Sequence, residues 1–235
     1  MWPYHPELLA RPVPRYTSFP TAAEFHDGIG NDAYEAELDA LAPGTPVSLY
    51  LHIPYCHEIC WYCGCNTGAA NRTSRLASYL ESLHAEIATL SRRIGDKAYI
   101  YRVAFGGGSP NAIAPAEFER LVKALRDSFA MEGAVLSIEL DPRSYTPEWT
   151  ETLARAGVHR ASLGVQTFDS AIQKNIGRIQ PGEMITGVTG ELRRAGVESI
   201  NFDLMYGLPG QSVATLEASL EEALKLRPER LAVFG

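Results

Sequence analysis

The 235-residue sequence predicts an α/β fold, a partial (β/α)6 TIM-like barrel, on three observations. Short runs rich in β-branched and aromatic residues recur six times, amphipathic helical stripes lie between them, and one helix–glycine–strand pattern occurs twice. Strands that alternate with helices build a parallel sheet, because parallel strands need a crossover between them. A doubly wound open sheet is the alternative arrangement of the same elements.

Residues 1–45 read as an N-terminal arm and residues 46–235 as the barrel core. The first strand is expected over 47–53, Val-Ser-Leu-Tyr-Leu-His-Ile. Leu76, Tyr79, Leu80, Leu83, Ile87 and Leu90 then fall at steps of three and four, one apolar stripe of a helix. A second strand follows over 99–105, and Phe118, Leu121, Val122, Leu125 and Phe129 mark the next helix. The third strand covers 135–140, and Thr146 before Pro147 is a helix start. The fourth and fifth strands cover 160–165 and 199–205. Ser212 opens a last helix whose predicted stripe is Val213, Leu216, Leu220 and Leu224, before a sixth strand over 230–234. The repeated pattern is Leu153-Ala-Arg-Ala-Gly157-Val and Leu192-Arg-Arg-Ala-Gly196-Val. In each, a helix ends on a glycine, which suits the left-handed position just past a helix end.

Bulk properties exclude some function classes. The formal net charge is −7, the isoelectric point is near 5.4 and the basic residues are scattered, so no nucleic-acid partner is indicated. No apolar run reaches the roughly 18 residues of a membrane span. The N-terminal Met-Trp-Pro-Tyr-His-Pro-Glu has no basic stretch followed by an apolar run, so a cytoplasmic, reducing setting is expected.

All four cysteines lie in ten residues, as Cys56-His-Glu-Ile-Cys60-Trp-Tyr-Cys63-Gly-Cys65. Clustered thiols in a reducing compartment read as metal or redox ligands rather than disulfides. Structural zinc needs four ligands, with Cys65 or His57 available as the fourth, but zinc sites usually pair two separated knuckles. Thiolates equally suit iron–sulfur clusters. Three well-spaced thiolates leave one iron of a four-iron cube open to bind a small molecule.

In folds of this class the site lies at the carboxyl ends of the strands. The unusual residues gather there. The cysteines follow the first strand and Gly106-Gly-Gly-Ser109-Pro110 the second; Glu139 and Asp141 end the third, Gln166 the fourth, and Asp203 precedes Tyr206-Gly-Leu-Pro209 on the fifth. Three glycines after an apolar strand make a turn or expose backbone to a ligand. The spacing matches neither a P-loop nor G-x-G-x-x-G. Glu139 reads as a pocket acid or a salt-bridge partner, and Asp141 before Pro142 equally as a turn former. Asn201 and Asp203 share a strand face, where a buried carboxylate without a partner is costly and favours a ligand.

C-x3-C-x2-C after a first strand, followed by Gly-Gly-Gly-Ser-Pro, resembles the radical S-adenosylmethionine (SAM) superfamily. Within it the chain resembles the oxygen-independent coproporphyrinogen III oxidases. The likeness includes Arg15-Tyr-Thr-Ser-Phe-Pro-Thr21, Ile138-Glu-Leu-Asp-Pro142, Gly164-Val-Gln-Thr-Phe168 and Asp203-Leu-Met-Tyr-Gly-Leu-Pro209. The resemblance implies a radical SAM type of barrel with a 4Fe–4S cluster held by Cys56, Cys60 and Cys63. It implies one SAM near Tyr50, Tyr62, Gly107 and Glu139. A second SAM would lie near Gly108, Ser109, Gln166, Arg178 and Asp203. Cys65 matches a family cysteine that leaves the cluster alone, and Arg15 lies in an arm near the active site. The implied reaction is oxidative decarboxylation of two propionates of coproporphyrinogen III to vinyls, giving protoporphyrinogen IX in haem biosynthesis, through a 5′-deoxyadenosyl radical. A reduced flavodoxin or ferredoxin-type electron donor and a monomeric state go with it. Haem-binding chaperones related to this family typically carry Phe in place of Cys65 and lack the Arg15 motif. Family members continue for about as long again past the position of Gly235, with a C-terminal domain and one more second-SAM contact, so the substrate pocket is expected to be incomplete in this sequence. Two milder departures are Ser109, where Thr is commoner, and Ala104-Phe105, where Trp is frequent.

Overall fold

The computed structural model describes residues 24–70 and 73–235. The predicted arm motif over 15–21, with Arg15, lies outside the described residues. The chain divides into two units, Met1–Ala40 and Leu41–Gly235. The first contains helix α1 (Asn31–Asp39), none of whose residues is buried.

The second unit is a parallel sheet of six strands: β1 (Thr45–Ile53), β4 (Ala98–Gly107), β5 (Val135–Leu140), β6 (Val158–Gln166), β7 (Ser199–Met205) and β8 (Arg230–Phe234). Their spatial order is their chain order, and every neighbouring pair is parallel. Such crossovers are right-handed, so sequential order puts all connecting helices on one face and lets the sheet curl as part of a barrel. The doubly wound alternative needs an order that reverses partway, and this sheet has none.

The helices are α2 (Thr73–Ile94), α3 (Pro115–Ser128), α4 (Pro147–Ala156), α5 (Ser170–Asn175), α6 (Gly182–Arg194) and α7 (Val213–Lys225). Neighbours pack in sequence, α2 on α3, α3 on α4 and α4 on α6. The core lies between this layer and the sheet. Phe118 of α3 is fully buried between Phe105 of β4, with ring centroids 4.8 Å apart, and Trp149 of α4, 5.4 Å apart. The predicted stripes of α2 and α3 face inward through Leu80, Leu83 and Ile87 and through Phe118, Leu121, Val122 and Leu125.

Local signals behave as expected at several ends. Thr146 is the N-cap of α4 with Pro147 at its first position. Ser212 caps α7 in a reciprocal capping box with Thr215. Gly157 and Gly196 follow their helices with φ of +63° and +85°. The α7 stripe departs from expectation: Val213 and Leu224 are exposed, and Ser219 and Ala223 are buried instead. The reason is a polar seam. Ser219 Oγ accepts from Phe168 N–H at 3.1 Å and bonds Thr167 Oγ1 at 3.1 Å, so small residues bring α7 close to the loop after β6.

Candidate functional site

Past the end of β1 the chain makes a two-residue strand, β2 (Tyr55–Cys56), which pairs in parallel with β3 (Gly68–Ala69). Gly68 N–H donates to Pro54 O and Ala70 N–H to Cys56 O, both at 2.8 Å, so the cysteine segment closes as a loop. Cys63 N–H reaches Cys60 O at 3.2 Å, and Trp61 N–H donates to Ile176 O at 3.1 Å beside α5. Cys56, Cys60, Cys63 and Cys65 line one cleft at the carboxyl ends of the strands. All four are free thiols; Cys60 is buried and Cys65 is exposed. Burial, with Asp141 and the neighbouring thiols adding to it, pushes the Cys56 thiol up to about 11. Burial and the Cys63 thiol push Cys65 up to about 11 as well.

The glycines prolong β4 rather than form a turn. Gly108 N–H donates to Ile53 O and Ser109 N–H to Tyr55 O, both at 2.8 Å. A Cβ on Gly108 would lie 2.7 Å from the Tyr55 carbonyl oxygen, so the close approach of two backbones requires glycine there. Gly107 N–H donates to Glu139 Oε2 at 3.2 Å. Two N–H groups of the glycine run are therefore engaged within the protein, and what the run offers the cleft is surface without side chains.

Most of the other expected residues share the cleft wall: Tyr62, Gly107, Gly108, Glu139, Gln166, Arg178 and Asp203. Tyr50 and Ser109 do not. Tyr50 is exposed, with its hydroxyl 3.2 Å from His52 Nδ1. Ser109 is 3 % exposed and donates its hydroxyl to Asn111 Oδ1 at 2.5 Å. Its side chain serves the framework, because Asn111 in turn grips the Asp141 backbone, donating to its O at 2.9 Å and accepting from its N–H at 3.0 Å.

Gln166 ends β6 with φ of +64°, a left-handed conformation that costs a non-glycine residue energy. The β6–β7 register shifts between Gly164 and Gln166, which turns this side chain into the cleft. Asp203 on β7 accepts from Ser162 Oγ at 2.7 Å and from Asn201 Nδ2 at 2.8 Å. Burial outweighs these bonds and raises its carboxyl above the usual range. Glu139 is raised too, by burial against the single Gly107 bond. Burial also raises the Tyr62 hydroxyl.

Asp141 is the opposite case. Burial works to raise it, but the hydrogen bonds of Arg143 and the charge of Arg178 win and hold it below the ordinary carboxylate range. It is both turn former and site residue, since its Oδ1 caps the turn Pro142–Ser144 by accepting from Arg143 N–H at 3.0 Å. Arg178 is buried, with Nη2 on Gly164 O at 2.7 Å and Nη1 3.2 Å from Cys60 Sγ. Arg143 also donates to Cys60 Sγ, at 3.3 Å. Sequence reasoning missed Arg143. Its adjacency to Asp141 and Pro142 was the available signal.

Among the described residues no three His, Cys, Asp or Glu side chains converge on a point suited to one metal ion. In a cluster each thiolate takes a different iron, so shared access to one cleft is what the ligands need. Cys56, Cys60 and Cys63 have that access, and two guanidinium groups donate to the Cys60 sulfur.

The strand order and the thiol-lined cleft define a class. A Radical SAM superfamily model matches residues 50–223, and the chain belongs to that superfamily. Membership implies a 4Fe–4S cluster and SAM. Within the superfamily the chain is 44% identical over 224 residues to an oxygen-independent coproporphyrinogen III oxidase from Bradyrhizobium diazoefficiens, covering 95% of this chain and 50% of that one. It is 39% identical to the protein of the same description from Pseudomonas aeruginosa, covering 94% of this chain and 49% of the relative. The solved coproporphyrinogen III oxidase of Escherichia coli, described as a radical SAM enzyme, superposes with a TM-score of 0.89 at 35% identity, covering 99% of this chain and 52% of that one. The chain spans about half the length of these relatives.

Proposed function

We propose that this chain carries the cofactor-binding half of an oxygen-independent coproporphyrinogen III oxidase, acting in the cytoplasm in haem biosynthesis. The observation that carries the reading is the meeting of Cys56, Cys60 and Cys63 with Gly107, Glu139, Gln166, Arg178 and Asp203 on one cleft wall. Cys56, Cys60 and Cys63 hold the cluster. When bound and reduced by a flavodoxin or ferredoxin-type donor, the cluster with SAM supplies a 5′-deoxyadenosyl radical for hydrogen abstraction from a propionate of coproporphyrinogen III.

The chain's own residues bind, orient and shield. Glu139, fixed by Gly107 N–H, offers its second oxygen to the amino group of one SAM. Tyr62 and the bare glycine surface supply the apolar contact beside it. Asp203 and Gln166 offer acceptors and an amide to a second SAM across the cleft, and Arg178 contributes positive charge to the floor. Ser109 acts from behind, through Asn111 and Asp141. Shielding falls to the buried part of the wall, Cys60, Asp141 and Arg178, which limits water around a reactive species.

Anaerobic reconstitution with iron and sulfide tests the reading. The expected outcome is about four irons and four sulfides per chain, with methionine and 5′-deoxyadenosine formed from SAM under reduction. Cys63→Ser should abolish SAM cleavage and Cys65→Ser should keep the cluster. Zinc without labile sulfide, or equal cluster loss in both variants, would reject the assignment.

A further inference from the structure

Cys60 is set apart from the other cysteines by its neighbours. Its sulfur accepts from two guanidinium groups, Arg178 Nη1 at 3.2 Å and Arg143 Nη2 at 3.3 Å. Arg143 reaches it from the turn after β5 while holding two carboxylates. Its Nε donates to both Asp141 oxygens at 3.1 and 3.2 Å, its Nη2 to Asp141 Oδ2 at 2.7 Å, and its Nη1 to Glu58 Oε2 at 2.8 Å. Nη2 also lies 3.4 Å from Glu58 O, in the loop between Cys56 and Cys60. The Arg143 side chain is only 7% exposed, whereas that of Glu58 is 70% exposed. Asp141 is itself immobilised by Asn111 and Arg178. Arg143 therefore ties the middle of the cysteine loop to a fixed point on the barrel rim.

We propose that Arg143 is a positioning residue for the cluster: it fixes Cys60 and, by donating a cationic N–H to its sulfur, makes the bound cluster easier to reduce. Reduction adds negative charge to the cluster and its sulfurs. Hydrogen bonds to those sulfurs, and the net charge around them, set the potential of an iron–sulfur site. Groups behind the ligands orient them and tune such sites. Around Cys60 the charges of Arg143 and Arg178 balance those of Asp141 and Glu58. Without Arg143 one cation faces two carboxylates, and the sulfur loses a donor. Lysine does not replace it, because one compact ammonium cannot fork among Asp141, Glu58 and the sulfur at once.

The inference rests on the cluster reading, and iron and sulfide analysis of the unsubstituted chain tests that reading separately. The test of Arg143 is an anaerobic redox titration of the reconstituted full chain, followed by electron paramagnetic resonance. In Arg143→Met the ratio of reduced to oxidised cluster at a fixed potential should fall about tenfold, a shift of 59 mV to more negative potential for a one-electron couple. Arg143→Lys should fall in the same direction, by roughly threefold or more, since the ammonium settles between the carboxylates. A ratio within twofold of the unsubstituted chain in loaded Arg143→Met overturns the proposal. If Arg143→Met holds no cluster, Arg143→Lys decides: an unchanged ratio there, or loss of the cluster from that variant too, makes Arg143 a structural strap and overturns the redox role.

Discussion

The two faces of the barrel sheet are made by the same strands and have opposite characters. On the helix-covered face Phe105, Ile138, Leu163 and Phe202 are essentially fully buried. On the other face, at positions adjacent along β5, β6 and β7, stand Glu139, Ser162, Gly164 and Asp203, and all four line the cleft. Across the strands Glu139 pairs with Ser162, Ser162 with Asn201, and Gly164 with Asp203, so the polar residues form a continuous row. A strand alternates its side chains between faces, and a parallel sheet is usually apolar on both. Here one face holds the fold together and the other gives up burial to keep a polar cavity. Stability and chemistry are thus separated by a single residue step.

That separation is broken most directly from the helix side. Phe118→Ala empties a fully buried site between Phe105 and Trp149 and should cost about 3–5 kcal/mol, read from a urea unfolding midpoint. A cost below about 1 kcal/mol would mean that the aromatic stack does not anchor the sheet. A smaller effect is expected where the two faces meet the cysteine loop. In Gly108→Ala the new methyl must displace the Tyr55 backbone, for about 1–3 kcal/mol, with Cys56 moved along with it. Gly190→Ala in α6 is the control. Nothing lies within 4 Å of a Cβ there, and a helical alanine in its place should raise stability by about 0.5–1 kcal/mol. If both alanines act alike, the glycine run is not constrained by close approach.

The helix-covered face was legible in the sequence because it follows a period. The α2 and α3 stripes, the caps at Thr146 and Ser212 and the two post-helical glycines all report one-dimensional rules that packing did not overturn. The α7 stripe was misjudged because a hydroxyl seam to Thr167 and Phe168 decides its facing, and periodicity carries no information about such a seam. In the site, the cysteines and Glu139 could be read from spacing and strand ends. Arg143 had only its adjacency to Asp141 and Pro142 as a signal, since its role depends on bringing the turn after β5 to Cys60 and Glu58, 83 and 85 residues away. β2 and β3 are two residues each, too short to leave a pattern. Ser109 had the right neighbourhood in sequence, but Asn111 takes its hydroxyl.

The smallest effect lies on the polar face and has the opposite sign. Asp203 is held by Ser162 and Asn201, yet burial still raises its carboxyl. A carboxyl whose folded pKa lies above its unfolded value binds its proton more tightly in the native state. Its contribution to stability is present below the unfolded pKa, near the ordinary 3.9 of aspartate, and is lost as pH rises through the folded value. Asp203→Asn keeps the shape and still accepts from Asn201, while its amide can donate to the Ser162 hydroxyl. The variant should therefore be more stable than the unsubstituted chain at pH 7, by about 1–3 °C in Tm without added cofactor. That advantage should shrink as pH falls through the raised folded value and be gone near pH 4, where the carboxyl is protonated in the folded and unfolded states alike. Its affinity for SAM should fall at the same time. A lower Tm for Asp203→Asn at neutral pH would show that the ionised carboxylate supports the fold, and that both faces, not the helix-covered one alone, hold it together.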